Sequence, residues 1–414
     1  MALGDRLRMH GSDRTDPTTR RTVRRLTDCA GNDQLLYFTS NSLTADDEHL
    51  VFLSDRDGGH PNLFCLHLKT NHAVQLTSNQ SGYLESYVYF DGNREGLAKA
   101  SMSLHASSGD LYYLQGRTDR VTEVRRVNVH TLDAAVLAEL PSDHVTAFTH
   151  VSEDNQWLCV PTIHESAFAE AARDPQGITP RVDRLGLRSA MRFIRTDGSG
   201  EDICWHDPGW VTHVQFHPRD ADCLLYNHEW CPDSGIRRMW LYHDGKVVRL
   251  RPPGTNADGS LRGATDWTCH EMWQRDGQTV IYHGTRGQLP YLGQVSPSGT
   301  DHIELAFPEG WVRYGHFTVS SDPTLLVTDG YVEVPEAKRS AHRQGQWISL
   351  VRADWTRGSL SWLPLCEHGS SWNSQDAHPH PIFAHGDREV LFTSDVDGKR
   401  AIYAVEVNAA QTGI

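Results

Sequence analysis

The two ends of the chain carry nearly the same hairpin sequence. Residues 50–68 read LVFLSDRDGGHPNLFCLHL, and residues 390–405 read VLFTSDVDGKRAIYAV. Each copy consists of a short apolar segment, an Asp-x-Asp-Gly turn and a second segment in which apolar and polar residues alternate. This is the pattern of a β-hairpin. Its recurrence at both ends of the chain indicates a repeat architecture.

Five weaker copies of the unit lie between the two ends. They fall at Asp110–Val129, Trp157–Thr196, Cys223–Tyr242, Thr279–Val295 and Leu325–Val351. Seven units at a spacing of roughly 45 to 65 residues predict an all-β fold, a seven-bladed β-propeller. Length alone suggests two or three domains. The repeat instead predicts one domain over residues 21–414.

The ends of the chain also predict how the ring closes. The first unit continues into an outer strand at Ala73–Thr77, whereas the last unit ends soon after Val407 without one. The segment Thr22–Thr27 matches the missing strand. We therefore expect this N-terminal strand to complete the seventh blade, which removes an exposed sheet edge. Residues 1–20 are polar and rich in Thr and Arg, and we expect a flexible tail there.

One insertion interrupts the repeat between Pro161 and Arg195. Within it, residues 164–173 are rich in Ala and Glu, which favours a helix. Insertions on one face of a propeller often cover a binding site, and an inert surface helix is the alternative.

Residues 375–381, with the sequence QDAHPHP, predict a metal-binding segment. Proline biases the preceding residue toward an extended conformation, so His378 and His380 are expected to be extended and to point the same way. Gln375 is close enough to add a carboxamide oxygen. Imidazole and oxygen ligands suit Mn, Fe, Ni or Zn. A proline-stiffened surface loop with two solvated histidines is the alternative.

Three further polar stretches fall where predicted blades begin, beside the central channel. They are Asn227–Glu229 followed by Arg237–Trp240, Trp267–Trp273 and Tyr314–Phe317. Loops from all blades converge on the channel of a propeller, so these stretches are candidates for one site. Because the chain has 24 histidines, the alternative for each is an ordinary hydrogen-bonded residue.

These motifs resemble those of the oligogalacturonate lyases, seven-bladed propellers that cleave short pectin fragments by β-elimination. The resemblance covers most of the chain and is most specific in residues 375–381 and 391–395, in CHEMW at 269–273 and in RMW at 238–240. It implies a manganese-type ion bound by His316, Gln375, His378 and His380, with His270 as the base and Arg238 as the catalytic arginine. By position, His228 and Glu229 are expected to contact the substrate.

The residue types suit this reaction on chemical grounds. Elimination removes the proton on C5 of a uronate, a weakly acidic position because the adjacent carboxylate keeps its negative charge. A divalent cation and a guanidinium both stabilise the charge that grows in the transition state. A neutral imidazole can accept the proton near neutral pH. Three His and one Gln leave two positions of an octahedral ion for substrate oxygens.

The amino-acid composition limits the classes of molecule that the protein is expected to bind. The net charge of -14 and a pI near 5.9 argue against nucleic acid. A local cluster of Arg and His can nevertheless bind an acidic oligosaccharide such as di- or trigalacturonate. The N-terminus lacks the apolar run of a signal peptide, and no apolar stretch is long enough to span a membrane. We expect a soluble, cytoplasmic protein, and the sequence leaves its oligomeric state open.

Two alternatives to this function remain. The related enzymes carry a His-Arg pair before an aromatic residue in the first blade, whereas the corresponding residues here are Ala30–Tyr37. Because of this difference, the first alternative is a lyase that acts on another uronic-acid oligosaccharide. The other alternative is a non-catalytic propeller that binds a ligand or protein, because fold does not determine function. A peptidase is disfavoured by the lack of a Gly-x-Ser-x-Gly motif, and a glycosidase would need two flanking carboxylates.

Overall fold

The computed structural model describes residues 2–229, 238–251, 266–287, 289–307, 311–313, 315–332 and 347–408. Within these ranges the chain forms seven antiparallel sheets arranged as the blades of a β-propeller, together with a two-stranded ribbon. The prediction of a seven-bladed propeller is confirmed.

The first half of the chain builds the N-terminal strands and three blades. The N-terminal segment contributes β1 (Arg6–Arg8), β2 (Ser12–Thr15) and β3 (Thr22–Arg25). Blade 1 contains β4 (Asp33–Leu35), β5 (His49–Asp57), β6 (His60–His67) and β7 (His72–Gln75). Blade 2 contains β8 (Gly96–Leu97), β9 (Ser103–His105), β10 (Asp110–Gly116), β11 (Thr122–Asn128) and β12 (Ala134–Leu140). Blade 3 contains β13 (His144–Thr146), β14 (His150–Val151), β15 (Trp157–His164), β16 (Ser189–Arg195) and β17 (Glu201–Asp207), with the helix α1 (Ile178–Leu185) between β15 and β16.

The second half builds the remaining four blades. Blade 4 contains β18 (Val214–His217), β19 (Asp220–Asn227), β20 (Met239–His243) and β21 (Lys246–Arg249). Blade 5 contains β22 (Asp266–Trp273), β23 (Val280–Arg286), β24 (Leu289–Val295) and β25 (His302–Ala306). Blade 6 contains β27 (Phe317–Val319), β28 (Leu325–Thr328), β30 (Trp347–Asp354) and β31 (Ser359–Glu367). The two-stranded ribbon pairs β26 (Trp311–Arg313), which precedes β27 in the sequence, with β29 (Tyr331–Val332), which follows β28. Blade 7 contains β32 (Ile382–Ala384), β33 (Glu389–Ser394) and β34 (Ala401–Glu406).

The seven predicted hairpin units are the two middle strands of the seven blades. The copies at the two ends of the chain also form equivalent side-chain contacts. Phe52 lies opposite Phe64 in blade 1, and Phe392 lies opposite Tyr403 in blade 7. Both aromatic pairs are stacked, with ring centroids 5.5 Å and 5.6 Å apart. The repeated sequence therefore encodes a repeated cross-strand contact.

The core lies between neighbouring blades. In the cluster between blades 6 and 7, Val327 and Leu350 pack with Phe392 and Tyr403, all almost completely buried. Because each blade is covered on both faces, the apolar residues of its middle strands are buried on both sides of the sheet.

Ring closure follows the sequence prediction. β3 pairs with β34, with Val23 opposite Val405 and Arg25 opposite Tyr403, and Val23 is fully buried. Arg25 also forms an ion pair of 2.9 Å with Asp397. The strand that begins the chain thus completes the blade that ends it.

The expectation of a flexible tail over residues 1–20 differs from the structure. β1 pairs with β7 at the outer edge of blade 1, and β2 pairs with β3 at the outer edge of blade 7. Asp16 is fully buried and accepts a hydrogen bond from the backbone N–H of Glu367. The side chains of β1 and β2 are largely exposed, because both strands lie at sheet edges. Such strands lack the apolar alternation by which a strand is predicted.

The insertion also differs from its prediction. A single turn of 3₁₀ helix covers Glu165–Ala167, a second covers Pro175–Gly177, and α1 follows them. Phe168 and Ala171 are buried against Val182 of α1. This packing holds the Ala-rich segment in irregular turns in place of the helix expected there. Among the described residues, no helix is long and apolar enough to cross a membrane.

Candidate active site

Three of the predicted metal ligands converge from two blades. His316 precedes the innermost strand of blade 6, and His378 and His380 precede that of blade 7. Ring centroids of His316 lie 5.1 Å from His378 and 4.1 Å from His380. Nitrogen atoms of the three imidazoles all lie within 4.8 Å of one another. This spacing allows one ion to contact all three rings.

The backbone of the segment differs in part from the prediction. His378 is extended as expected, with φ of -76° and ψ of 136°. His380 instead has a φ of +45°, in the left-handed region that non-glycine residues seldom adopt. Its backbone N–H lies 3.3 Å from the Oδ2 atom of Asp329, the acceptor that favours this conformation.

Asp329, at the end of β28, connects the two segments that carry the histidines. Its Oδ1 atom accepts a hydrogen bond of 2.6 Å from the backbone N–H of His316, and its Oδ2 atom lies 3.0 Å from His316 Nδ1. Burial raises the pKa of Asp329 to about 6, so the carboxyl is ionised at neutral pH and accepts from Nδ1–H. Nε2 is then the ring nitrogen with which His316 would bind a metal.

Gln375 begins the 3₁₀ turn Gln375–Ala377 that leads into His378. Asp376, the next residue, holds this turn to blade 2 through an ion pair with the buried Lys99. Asp376 also lies 3.4 Å from Arg400 of blade 7. The ammonium group of Lys99 also lies 3.7 Å from the ring centroid of Tyr83. A role for the Gln375 side chain as a ligand stays a prediction.

His270 lies at a β-bulge in β22 and has a φ of +50°. Its Nδ1 atom is 2.8 Å from Nε2 of His283 on β23, and its ring centroid is 4.6 Å from that of His316. Burial, with smaller contributions from His316 and His283, lowers the pKa of His270 well below its ordinary value. His270 is therefore neutral at neutral pH, the form that a base requires.

Arg238 is buried between two carboxylates. Its Nε atom donates to Glu271 Oε2 at 2.7 Å, and Nη1 donates to Glu229 Oε1 at 3.0 Å. Nη2 faces Nδ1 of His213 at 3.4 Å. Burial by itself would raise the pKa of Glu229, but the charge of Arg238 holds it well below the usual range. The two glutamates thus fix the plane of the guanidinium.

The two residues expected to contact a substrate have other partners. Glu229 accepts hydrogen bonds from Thr212 and Asn227 in addition to Arg238, and it is buried. His228 lies with Nε2 at 2.7 Å from Asp207 Oδ1 and stacks on Trp240. A substrate contact by either residue stays a prediction, and the geometry of Glu229 is that of a residue that positions Arg238.

Aromatic residues of blade 1 lie against the histidines. The Tyr37 ring centroid is 5.0 Å from that of His380, and its hydroxyl is 3.3 Å from His213 Nε2. Phe38 lies 5.3 Å from His270 and 5.4 Å from His316 between ring centroids. These apolar surfaces exclude water from one side of the cluster.

Six residues of the site have no motif of their own that marks them in the sequence: Tyr37, Phe38, His213, Glu271, His283 and Asp329. Glu271 lies within the CHEMW motif, so proximity to His270 was the available indication for it. The others depend on contacts between distant segments. Arg237 and Tyr314, which belong to the predicted stretches, lie outside the described residues.

The donors of the cluster fit a divalent ion of the first transition series. All three are imidazoles, which suit such ions. His380 Nε2 is buried and has no hydrogen-bond partner in the part of the chain that the structure describes. A buried ring nitrogen without a partner is costly, and a metal ion would satisfy it.

Comparisons with known proteins agree with this architecture. The family model for oligogalacturonate lyases matches residues 1–411. An oligogalacturonide lyase of Pectobacterium atrosepticum is 25% identical over 425 residues, and an oligogalacturonate lyase of Dickeya dadantii is 25% identical over 426 residues. Each alignment covers 98% of both chains. Among solved structures, an oligogalacturonate lyase in complex with manganese superposes with a TM-score of 0.80 at 21% identity, covering 100% of both chains. An oligogalacturonate lyase of Vibrio parahaemolyticus gives 0.80 at 22% identity, covering 99% of this chain and 100% of the other.

Proposed function

The chain belongs to the oligogalacturonate lyase family, and we propose that it cleaves short oligogalacturonates by β-elimination to give an unsaturated uronate product. The observation that carries this proposal is the convergence of His270 with the three-histidine cluster. A candidate base lies with its ring 4.6 Å from a ring of the candidate metal site. A non-catalytic binding propeller has no need for that arrangement.

We propose that His316, His378 and His380, together with Gln375, hold a divalent metal ion, most suitably Mn²⁺. The related solved structure that contains manganese supports the choice of ion. When bound, such an ion supplies positive charge that stabilises negative charge developing on a substrate carboxylate. Asp329 would hold His316 in the tautomer and orientation that coordination needs.

Arg238 would contribute directed N–H donors more than net charge. The one guanidinium of Arg238 is already paired with two carboxyl groups, those of Glu229 and Glu271. Its fixed plane leaves the remaining Nη hydrogens in defined directions. Donors held in this way stabilise charge in a transition state without having to reorganise.

His270 would take the C5 proton with Nε2. A neutral imidazole has one N–H and one lone pair. If Nε2 is to accept the proton, Nδ1 must carry the hydrogen, and Nε2 of His283 stands 2.8 Å away to accept it. The bulge and the left-handed backbone of His270 present the ring in this direction.

The experiment is incubation of the full chain with di- and trigalacturonate, with and without a chelator, followed by ultraviolet absorbance of the unsaturated product. We expect product from the metal-loaded protein and none after chelation. His270→Ala should lower kcat by about 10² to 10⁴-fold, the range for loss of a general base, with metal content unchanged. Binding of the oligomers without any product would favour a binding propeller. Turnover of another uronate oligomer in their place would favour the alternative substrate.

A further inference from the structure

A second group of metal-binding side chains lies within blade 5. It consists of Cys269, His270 and His283, whose Sγ and ring nitrogen atoms all lie within 4.8 Å of one another. Cys269 and His283 are direct cross-strand partners in the ladder between β22 and β23. The cluster of His316, His378 and His380 comes from other blades, so the two groups share no ligand.

The backbone explains how neighbouring residues come to share a site. In a regular strand, Cys269 and His270 would point to opposite faces of the sheet. The β-bulge after Cys269 and the φ of +50° at His270 break that alternation. The His270 ring is thereby brought back to within 2.8 Å of His283, on the side of the ladder where Cys269 lies.

The two groups have different donor chemistry. The cluster of His316, His378 and His380 offers nitrogen donors alone, which Mn²⁺ accepts. The blade 5 group adds a sulfur, and thiolate with imidazole selects ions such as Zn²⁺ over Mn²⁺. The sulfur donor therefore distinguishes the two groups, because Mn²⁺ binds thiolate poorly, whereas Zn²⁺ accepts both thiolate and imidazole.

We propose that Cys269, His270 and His283 form a second metal site, which takes a thiophilic divalent ion such as Zn²⁺ and inhibits the reaction. The inhibition rests on the proposed role of His270 as the base. An ion bound at His270 Nδ1 uses the lone pair there, so the ring hydrogen moves to Nε2, and Nε2 can no longer accept a proton. The thiol of Cys269 loses its proton to solvent on binding. One proton is released per ion, and no redox change occurs.

The site and the catalytic hydrogen bond exclude each other. Two zinc-bound nitrogens at about 2.0 Å from a tetrahedral ion stand roughly 3.3 Å apart. The present separation of 2.8 Å between His270 Nδ1 and His283 Nε2 fits a hydrogen bond. Binding thus requires the two rings to separate by about half an ångström, with loss of the shared hydrogen.

The first test uses Co²⁺ as a spectroscopic probe, because a cobalt–thiolate bond gives a sulfur-to-metal charge-transfer band. Titration of the Mn²⁺-loaded full chain with Co²⁺ should produce this band. Cys269→Ser should abolish it, whereas Cys204→Ser, which alters an exposed cysteine of β17, should leave it unchanged. His378→Ala should also retain the band, because it alters the other cluster. Absence of the band in the unmodified protein would overturn the proposal.

The second test measures inhibition and stoichiometry. After dialysis against Mn²⁺ and Zn²⁺ together, we expect two metal ions per chain in the unmodified protein and one in Cys269→Ser. Zn²⁺ should inhibit turnover. Cys269→Ser should raise the Zn²⁺ concentration needed for inhibition by more than about tenfold, because removing even a hydrogen-bond partner of a metal ligand lowers the metal affinity by about tenfold or more. Equal inhibition in both proteins would show that Zn²⁺ acts at the other cluster, and would refute the site.

The tests separate this proposal from the proposed function. A charge-transfer band without turnover of any uronate would support the second site and refute the lyase activity. Normal turnover without the band would support the lyase activity and refute the second metal site.

Discussion

Individual side chains of the site are held by partners that sequence proximity does not supply. His270 and His380 have left-handed backbones, with φ of +50° and +45°. Such conformations cost on the order of 1 to 3 kcal/mol each and persist where surrounding contacts enforce them. His283 provides that contact for the first histidine, and Asp329 does so for the second. Two of the residues assigned to chemistry thus have left-handed backbones that contacts within the site stabilise.

Arg238→Lys should lower kcat by about 10² to 10³-fold, because one ammonium cannot replace a planar group that bridges two carboxylates. Steady-state kinetics on oligogalacturonates measure the effect. Arg56→Lys is a matched control, since Arg56 is equally buried and contacts Asp28 and Asp33 within blade 1. Both variants should lose stability, and the Arg238 variant alone should lose turnover. Similar kcat losses in both would mean that Arg238 acts through stability alone.

Asp329→Asn should weaken metal binding by about 10 to 100-fold, the usual effect of losing the hydrogen-bond partner of a ligand histidine. The reason is that Asn can donate to His316 Nδ1 as readily as it accepts, so the tautomer is no longer fixed. Equilibrium dialysis with Mn²⁺ measures the affinity without any substrate. Asp301→Asn changes an exposed carboxyl elsewhere and should have no effect. Unchanged affinity in the Asp329 variant would contradict its assignment as a positioning residue.

At the scale of elements, the N-terminal strands contribute unequally. β3 inserts a fully buried Val23 into the core between blades 6 and 7, whereas β1 and β2 add edge hydrogen bonds and exposed side chains. Burial of one valine side chain contributes about 1.5 to 3 kcal/mol. β3 also covers the edge of β34, which would otherwise be open to another chain.

Removal of residues 1–15 should therefore lower the Tm by a few degrees and leave cooperative unfolding intact. Removal of residues 1–28 should abolish the cooperative transition and cause aggregation, because β34 then becomes an open edge. Thermal unfolding and size-exclusion chromatography distinguish the two. If the longer deletion melted at the same temperature as the shorter one, closure by β3 would not matter for stability.

At the scale of the whole molecule, the innermost strands surround a second space besides the candidate site. A cavity of about 300 Å³ is lined by later residues of these strands, among them His150, His217 and Gln274. His150 accepts a hydrogen bond from the backbone N–H of Phe216 through Nδ1. Burial lowers the pKa of His150 to about 4. This histidine couples the stability of the ring to pH.

Because the pKa of His150 is lower in the folded chain than in the unfolded one, the unfolded chain binds its proton first. Stability is intact above the unfolded pKa of about 6.5 and declines as pH falls toward 4, by at most about 3 kcal/mol. His150→Gln keeps a hydrogen-bond acceptor that does not titrate, so its Tm should fall less between pH 7 and 4. Parallel Tm profiles for both proteins would show that His150 does not contribute.

The sequence by itself determined the propeller and its closure by residues 22–27, because strands and turns are encoded locally and the repeat multiplies that signal. The histidines of residues 375–381 were identifiable from their His-Pro-His-Pro spacing, but the left-handed backbone of His380 was not predicted from it. Tertiary structure decided the partners: Asp329 for His316, Glu271 for Arg238 and His283 for His270. It also decided that β1 and β2 are strands. These features depend on which side chains meet across strands and blades, and such hydrogen bonds leave no periodic pattern in the chain.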